Sequence, residues 1–471
     1  MTNSSPPASA LDRLLRLFSD VRAGEGSQAL LLALNIFMVL TAYYVLKPIR
    51  EALILGEWSA EVKSYLAAAM VVILVPVVHV YGRLADRFPR KRLINLVTFF
   101  FVACLVVFFL LGRAGVPLAI PFFIWVGIFS GVIIAQFWSF ANDLYTNDEG
   151  ERLFPIIGFG MSLGAVLGSG LTKTLVAPLG INLLMLIGAG LLLLSLVITN
   201  YVDQMQRIRT ESHLAPSATT AEMPAATGQF RAATGEFKAL TEEQALGSGS
   251  GEGAFALVFK TRYLLLIALM ILLTNWVNTT GEYILGGTVA RAAEAAVSSG
   301  TAGGLSEGQY IAGFYSDFFL VVNIVGLLAQ LFLVSRIIRY AGVQVGILIL
   351  PVTAMLGYGV LAFYPILAAG RVAKTLENAT DYSLQNTVKN ALWLPTTREQ
   401  KYKAKQVVDA FFHRAGDVLS AALVFVGTTY FALKSGGFAV VNIALVLIWI
   451  AVAVAIGRRY TSLTETGQPP T

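Results

Sequence analysis

The sequence predicts an all-α membrane protein with twelve transmembrane helices, arranged as two six-helix halves. Three observations carry that expectation. Of 471 residues, 56% are hydrophobic and only 13% are charged, and mean hydropathy is +0.70. A helix needs about 20 apolar residues to cross a bilayer, and runs such as Ile181–Val202 and Phe438–Ile456 reach that length. The stretch 203–257 is rich in Ala, Thr, Gly and Glu, lacks an apolar face, and divides the spans six to six as a flexible cytoplasmic linker. Unbroken apolar runs of this length exclude the alternating pattern of a membrane β-barrel.

The spans fall near 28–46, 60–82, 93–112, 116–142, 155–178 and 181–202 in the N-terminal half (1–202). In the C-terminal half (258–471) they fall near 258–286, 309–335, 343–363, 366–394, 404–431 and 437–457. Their connections carry an asymmetric charge. Arg83, Arg87, Arg90, Lys91 and Arg92 follow span two, Arg336 and Arg339 follow span eight, and Arg458 and Arg459 follow span twelve. The opposite loops hold only Arg113, Lys173, Arg291 and Lys434. This positive-inside bias predicts that both termini face the cytoplasm, and a bacterial plasma (inner) membrane is the expected location. The net charge of +6 is thereby a topology signal and not a nucleic-acid footprint. A single cysteine, Cys104, and three scattered histidines exclude a disulfide and a metal cluster, and no cofactor is expected. The chain has no GxxxxGK[ST] or H-E-x-x-H motif, so neither an ATP-driven pump nor an enzyme is predicted.

The two halves are weakly alike. Span five reads Gly164-AVLGSGL and span eleven reads Gly416-DVLSAAL, 252 positions later, and each is preceded by a proline, Pro155 or Pro395. Parallel repeats of this kind build transporters whose site lies at the interface of the repeats.

Polar residues within apolar spans are costly in a membrane and mark function. Span one ends YYVLKPIRE. Lys47 and Arg50 share a face there, beside Pro48, which removes a backbone donor. The pair suits an anionic substrate, or it reaches the headgroups by snorkelling. Span four brings Gln136, Asn142 and Asp143 into an apolar helix. Gly160, Gly164 and Gly168 of span five repeat every four residues, a smooth face for helix packing. In span seven, Asn275, Asn278, Thr279 and Glu282 form one polar stripe. Span ten places Lys374, Asn378, Asp381 and Gln385 on one face, with Glu377 one turn from Asp381. In span eleven Lys405, Asp409, His413 and Asp417 recur every four residues, with Arg414 adjacent. Of these, Lys47, Arg50, Asn142, Asn275, Asn278, Glu282, Lys374, Asn378, Asp381 and Gln385 are the candidate substrate contacts. Asp409, His413, Arg414 and Asp417 are candidates for proton coupling or interhelical ion pairing.

The loop after span two, Gly82-RLADRFPRKRL, resembles the major facilitator superfamily pattern G-x-L-A-D-R-x-G-R-K, departing only at Pro89. The resemblance implies a major-facilitator-like fold and a conformational latch built from Gly82, Asp86, Arg87 and Arg90. Tyr44-VLKPIRE, Phe137-WSFAND, Arg152-LFPIIGFG and the polar tenth and eleventh spans are similar to the ATP/ADP translocase family of nucleotide transporters. That likeness implies exchange of ATP or ADP, with Lys47 matching the lysine of the family's span-one motif. Members of that family carry acidic residues in spans four and seven and a lysine after the span-eleven glycine. Here those places hold apolar or amide residues, near Val126 and at Asn278, and an acid, Asp417. The expected function is secondary transport by alternating access of a small anionic metabolite, with the lipid bilayer as the other partner. Proton-coupled transport of a non-nucleotide solute and a non-transporting sensor or assembly protein are the rival readings.

Overall fold

A computed structural model describes residues 21–22, 25–145, 147–214, 254–397, 400–466 and 470. They are almost wholly helical. In chain order the helices are α1 Gly26–Glu57, α2 Ala60–Arg87, α3 Arg90–Arg113, α4 Ala119–Leu144 and α5 Asn147–Leu214. After the undescribed stretch come α6 Ala254–Lys260, α7 Arg262–Ser298, α8 Glu307–Ala329, α9 Ser335–Phe363, α10 Leu367–Thr380 and α11 Asn386–Ala391. The last three are α12 Lys405–Val407, α13 His413–Thr429 and α14 Ser435–Thr466. Wider π turns join α8 to α9 (Gln330–Val334), α10 to α11 (Asp381–Gln385) and α12 to α13 (Val408–Phe412), and another, Gln400–Ala404, precedes α12.

Nine helical segments among the described residues are long and apolar enough to cross a bilayer. Two of these, Arg152–Gln206 and Glu307–Phe363, have about twice the needed length. Each contains one glycine with positive φ, Gly180 (φ 74°) and Gly342 (φ 76°), a conformation that interrupts the helix and that glycine adopts without a Cβ clash. Exposed apolar side chains such as Val72, Phe100, Leu110 and Val197 cover the helices, as a lipid-facing surface requires.

Several boundaries differ from those the sequence predicts. Span one extends as a helix to Glu57, because the segment after Pro48 carries buried partners for its charges. Gly82–Arg87 is the last stretch of α2 and not a loop; only Phe88 and Pro89 separate α2 from α3. Residues 203–214 continue α5, while 215–253 of the expected linker lie outside the described residues.

By internal contacts the chain divides into two compact units. Unit 1 comprises residues 1–47, 80–118 and 125–235; unit 2 comprises 48–79, 119–124 and 236–471. In unit 1 the glycines of α5 lie on the backbone of α1. A Cβ on Gly160, Gly164 or Gly168 would stand 2.5 Å from the carbonyl oxygen of Ala33, Phe37 or Thr41, so only glycine permits this approach. Asn35 of α1 donates to the Ser195 carbonyl and to Thr199 Oγ1, both at 2.7 Å, which fastens α1 to the later part of α5. Trp125 and Phe129 stack at 5.2 Å, with Phe101 of α3 edge-on to both. Arg90, at the start of α3, reaches Asp203 at 2.9 Å and Asp143 at 3.4 Å.

The core of unit 2 is built around Tyr263, Tyr358, Phe438 and Trp449, all fully buried. Helix α13 lies close on α7, because Gly416 has no side chain: a Cβ there would stand 2.8 Å from the Trp276 nitrogen and 2.9 Å from the Leu272 carbonyl. Tyr263 Oη donates to the Leu392 carbonyl at 2.8 Å, and Asn442 Nδ2 donates to the Val277 carbonyl at 3.1 Å.

Candidate functional site

Unit 2 buries a chain of alternating charges. Glu51 accepts from Arg50 Nε at 3.1 Å and lies 2.6 Å from Lys63 Nζ. Lys63 lies 3.8 Å from Glu282, and Glu282 lies 3.8 Å from Lys374. Lys374 closes on Glu377 at 2.9 Å, and Tyr358 Oη donates to the other Glu377 oxygen at 2.9 Å. Three cations and three anions thus balance. Lys374 is 1% exposed and Glu51 1%. Isolated charges could not occupy such places: the desolvation cost is several kcal/mol per ion, and only pairing with further hydrogen bonds offsets it. Around Lys374 and Glu282 those further bonds are present, whereas Lys63 Nζ and Glu51 Oε2 are held by charge alone. Lys374 Nζ donates to Asn278 Oδ1 at 2.8 Å, and Asn378 donates to Glu282 at 3.2 Å. The Lys63 ammonium also stands over the Tyr315 ring, 5.6 Å from its centroid. Gly281 makes room for the chain, since a Cβ there would collide with the Tyr358 hydroxyl.

Beside this chain, still within unit 2, lies a cavity of about 350 Å3. Thr274, Asn275 and Asn278 of α7, Asp381, Tyr382 and Gln385 of the π turn, and Asn386, Lys389 and His413 are its polar lining. π turns inside α-helices occur frequently at functional sites, and here one presents three of the cavity's polar residues, Asp381, Tyr382 and Gln385. Lys389 is paired with Asp409 at 3.6 Å. The Asp381 carboxylate has no ion pair or side-chain hydrogen bond among the described residues, but the charges of Lys389 and Lys374 act on it. Gln385 is 3% exposed, yet its Oε1 is buried without a hydrogen-bond partner, and its Nε2 finds only the Met270 sulfur at 4.0 Å. A buried amide group left unsatisfied costs about 1–3 kcal/mol.

Asp417 is tied into the packing of α13 on α7. Asn275 Nδ2 and Thr279 Oγ1 both donate to its Oδ1 at 2.8 Å, and Arg414 Nη1 lies 3.4 Å from its Oδ2. Asn275 also donates to the His413 carbonyl at 2.6 Å.

Of the residues singled out in the sequence, Arg50, Glu282, Lys374 and Asn378 belong to or touch the ion chain. Asn275, Asn278, Asp381, Gln385 and His413 line the cavity, where Asp409 holds Lys389, and Arg414 and Asp417 pair at its margin. In unit 1, the Lys47 ammonium stands over Tyr44 and Tyr43, 5.3 and 5.9 Å from the ring centroids. Asn142 is exposed at the end of α4, beside Asp143. Of the expected latch, Arg90 holds two carboxylates, whereas Asp86 makes no ion pair or hydrogen bond among the described residues. Two members of the ion chain escaped the sequence reading, Glu51 and Lys63. Glu51 directly follows Arg50 in KPIRE, and the length of the apolar helix before it was the available signal. Lys63 looks like any basic residue flanking a span.

The profile of the family described as the Major Facilitator Superfamily matches residues 32–395. The chain is similar to ADP,ATP carrier protein 2 of Chlamydia pneumoniae, at 23% identity over an alignment of 529 positions covering 96% of this chain and 92% of that protein. It is also similar to ADP,ATP carrier protein 2 of Chlamydia trachomatis serovar D, at 22% identity over 374 residues. That alignment covers 72% of this chain and spans 65% of that carrier's length. Among solved structures, a POT peptide transporter superposes with a TM-score of 0.61 at 13% identity, covering 96% of this chain and 99% of that one. The nucleoside transporter NupG gives a TM-score of 0.55 at 14% identity, covering 93% and 98%. At such identities the structural likeness is one of fold.

Proposed function

This chain belongs to the Major Facilitator Superfamily, and from that premise we propose that it is a twelve-span secondary transporter that moves a nucleotide or a related anionic metabolite by alternating access. Twelve spans are consistent with the nine apolar segments, two of them double-length, plus the α10–α11 segment, whose polarity keeps it below a simple hydropathy threshold. The loop charges support a plasma-membrane orientation with both termini in the cytoplasm. The observation that carries the transport reading is the polar cavity of about 350 Å3 inside an otherwise apolar helical unit. That volume lies within the range of small-molecule sites, about 300–1,000 Å3. The nucleotide assignment rests on the likeness to the two chlamydial carriers. Asp417 is best read as an anchor between α7 and α13, because its oxygens are already engaged.

The test is a transport screen in proteoliposomes with ATP, ADP, other nucleotides and non-nucleotide anions. Labelled nucleotide should enter in exchange for nucleotide inside, without need of a pH gradient. Uptake of a non-nucleotide solute that depends on a pH gradient would replace nucleotide exchange with proton coupling. A protein inert to every solute would point to the sensor or assembly class.

A further inference from the structure

We propose that Asn278 and Lys374 link the unit 2 cavity to a gate formed by the α1–α2 turn. An occupant that engages the Asn278 amide releases Lys63 from Glu282 and lets the turn part from α7. The inference rests on the alternating-access reading above, and adds to it the element that moves and the contact that yields.

Residues 48–79, the end of α1 and most of α2, belong to unit 2 together with the C-terminal half of the chain. Close contacts seat them there. Leu55 lies against Gly286 of α7, and a Cβ on Gly287 would stand 3.7 Å from the Ala60 Cβ. Tyr283 Oη of α7 donates to Glu61 at 2.7 Å. Alternating access moves one repeat against the other, so in one state these contacts between residues of different sequence halves must break.

The ion chain shows where. Glu282 lies between two lysines at the same 3.8 Å, with Lys63 at one carboxylate oxygen and Lys374 at the other. Each lysine has a nearer carboxylate of its own, Glu51 at 2.6 Å from Lys63 and Glu377 at 2.9 Å from Lys374. Parting at Lys63–Glu282 therefore leaves both lysines paired.

Asn278 belongs to the cavity and to the chain at once. It lines the cavity, and its Oδ1 accepts from Lys374 Nζ at 2.8 Å. An ammonium has three donors. Those of Lys374 go to Glu377, to Asn278 Oδ1 and to the Asn278 carbonyl at 3.3 Å, so none is left for Glu282. An occupant that draws the Asn278 amide to itself frees one of the three, and Glu282 is the carboxylate within reach. As Glu282 closes on Lys374, its contact with Lys63 lengthens, and Lys63 falls back on Glu51.

The test reads the gate by thiol labelling and needs no substrate. The full-length chain carries Cys104→Ala and Ala60→Cys, is placed in nanodiscs, and is exposed to a polar maleimide. Ala60 is 4% exposed, so labelling should be slow. Asn278→Ala and Glu282→Gln should each speed it about tenfold or more, as loss of a bond to a charged group allows. The two together should be no faster than Glu282→Gln alone, because Asn278 acts through Glu282. Ala453→Cys, fully buried in α14, should stay slow in both variants. Unchanged labelling in Asn278→Ala, additive effects, or equal acceleration at Ala453→Cys would overturn the link. In a second arm, Ala60→Cys with Gly287→Cys has the Cβ separation of a disulfide. Oxidation should stop solute exchange, and reduction should restore it. Full exchange in the oxidised protein means that transport stands and the gate falls. Labelling as expected with no solute moved means that the gate stands and transport falls.

Discussion

Corresponding helix pairs in the two units are held together by different means. In unit 1, α5 meets α1 through Gly160, Gly164 and Gly168, set against backbone carbonyls. In unit 2, α13 meets α7 through Gly416 as well, but the next residue, Asp417, adds hydrogen bonds from Asn275 and Thr279. The residue at the matching place in unit 1 is Ala165. One cavity in unit 1, bordered by Asn35, Gln136 and Thr199, has about 30 Å3, room for a single water; the polar cavity of unit 2 has about 350 Å3. All four π turns among the described residues belong to unit 2. Small-residue packing needs no desolvated charge and makes a close, apolar joint. Buried ions cost free energy that an apolar core would not, so their concentration in one unit marks the place where chemistry rather than packing set the residues.

If the ion chain is that place, removing one member should unbalance unit 2 more than any single packing change unbalances unit 1. Lys374→Met leaves Glu377 and Glu282 short of a buried cation. We expect a loss of about 3–5 kcal/mol, read as a lowered unfolding midpoint in detergent. Adding Glu377→Gln to Lys374→Met should recover part of it, and strict additivity in this double-mutant cycle would show that the two residues do not act as a pair.

Packing changes come next. Gly164→Ala puts a methyl 2.5 Å from the Phe37 carbonyl, and Gly416→Ala puts one 2.8 Å from the Trp276 nitrogen. Both should destabilise by about 1–3 kcal/mol, with Gly164→Ala the worse because the obstructing atom is nearer. A silent Gly164→Ala would mean that α1 and α5 separate more easily than their glycine contact implies.

Asp417→Asn probes whether the added polar joint of unit 2 is an anchor. The amide oxygen can still accept from Asn275 and Thr279, so the expected cost is about 1 kcal/mol, and solute accumulation driven by a pH gradient should be unchanged. Abolished pH-driven accumulation with retained counterflow would assign Asp417 to proton coupling instead.

The smallest effect belongs to a charge pair of unit 1 at the start of α1. Arg152 donates to both Glu25 oxygens, at 2.9 and 3.0 Å. That hydrogen bond holds the Glu25 carboxyl below its ordinary value of 4.5, against the opposing effect of burial. A depressed carboxyl stabilises the fold above its unfolded value, and the contribution disappears as pH falls below about 4.5 through the folded value. Being partly solvated, the pair should contribute less than about 1 kcal/mol. Arg152→Gln should flatten the stability profile below pH about 4.5 and leave that of unit 2 untouched. An unaltered profile would remove the pair from the account.

Much of the site could be seen along single helices. The stripe Asn275, Asn278, Thr279, Glu282 and the stripe Lys374, Asn378, Asp381, Gln385 are periodic patterns, and both face polar surroundings in unit 2. The partnering between stripes could not be seen. Lys47 and Arg50 share a helix face in the sequence, but Lys47 stands over tyrosine rings in unit 1 and Arg50 joins the ion chain of unit 2. Asp86, prominent in its motif, has no partner among the described residues, while Arg90 four positions on holds two carboxylates.

The chain's linear pattern was sufficient for the membrane class, the helical architecture, the glycine joint and the polar faces. Lipid leaves each spanning segment to satisfy its own backbone, so these properties are local and repeat at 3.6 residues. Folding alone brought Lys63, itself paired with Glu51, to Glu282, more than 200 positions away along the chain. It also left Gln385 without a strong partner beside a cavity. No periodicity within a helix encodes a partner on another one. An ion pair forms only where packing brings two side chains within a few ångströms, and a cavity forms only where it fails to.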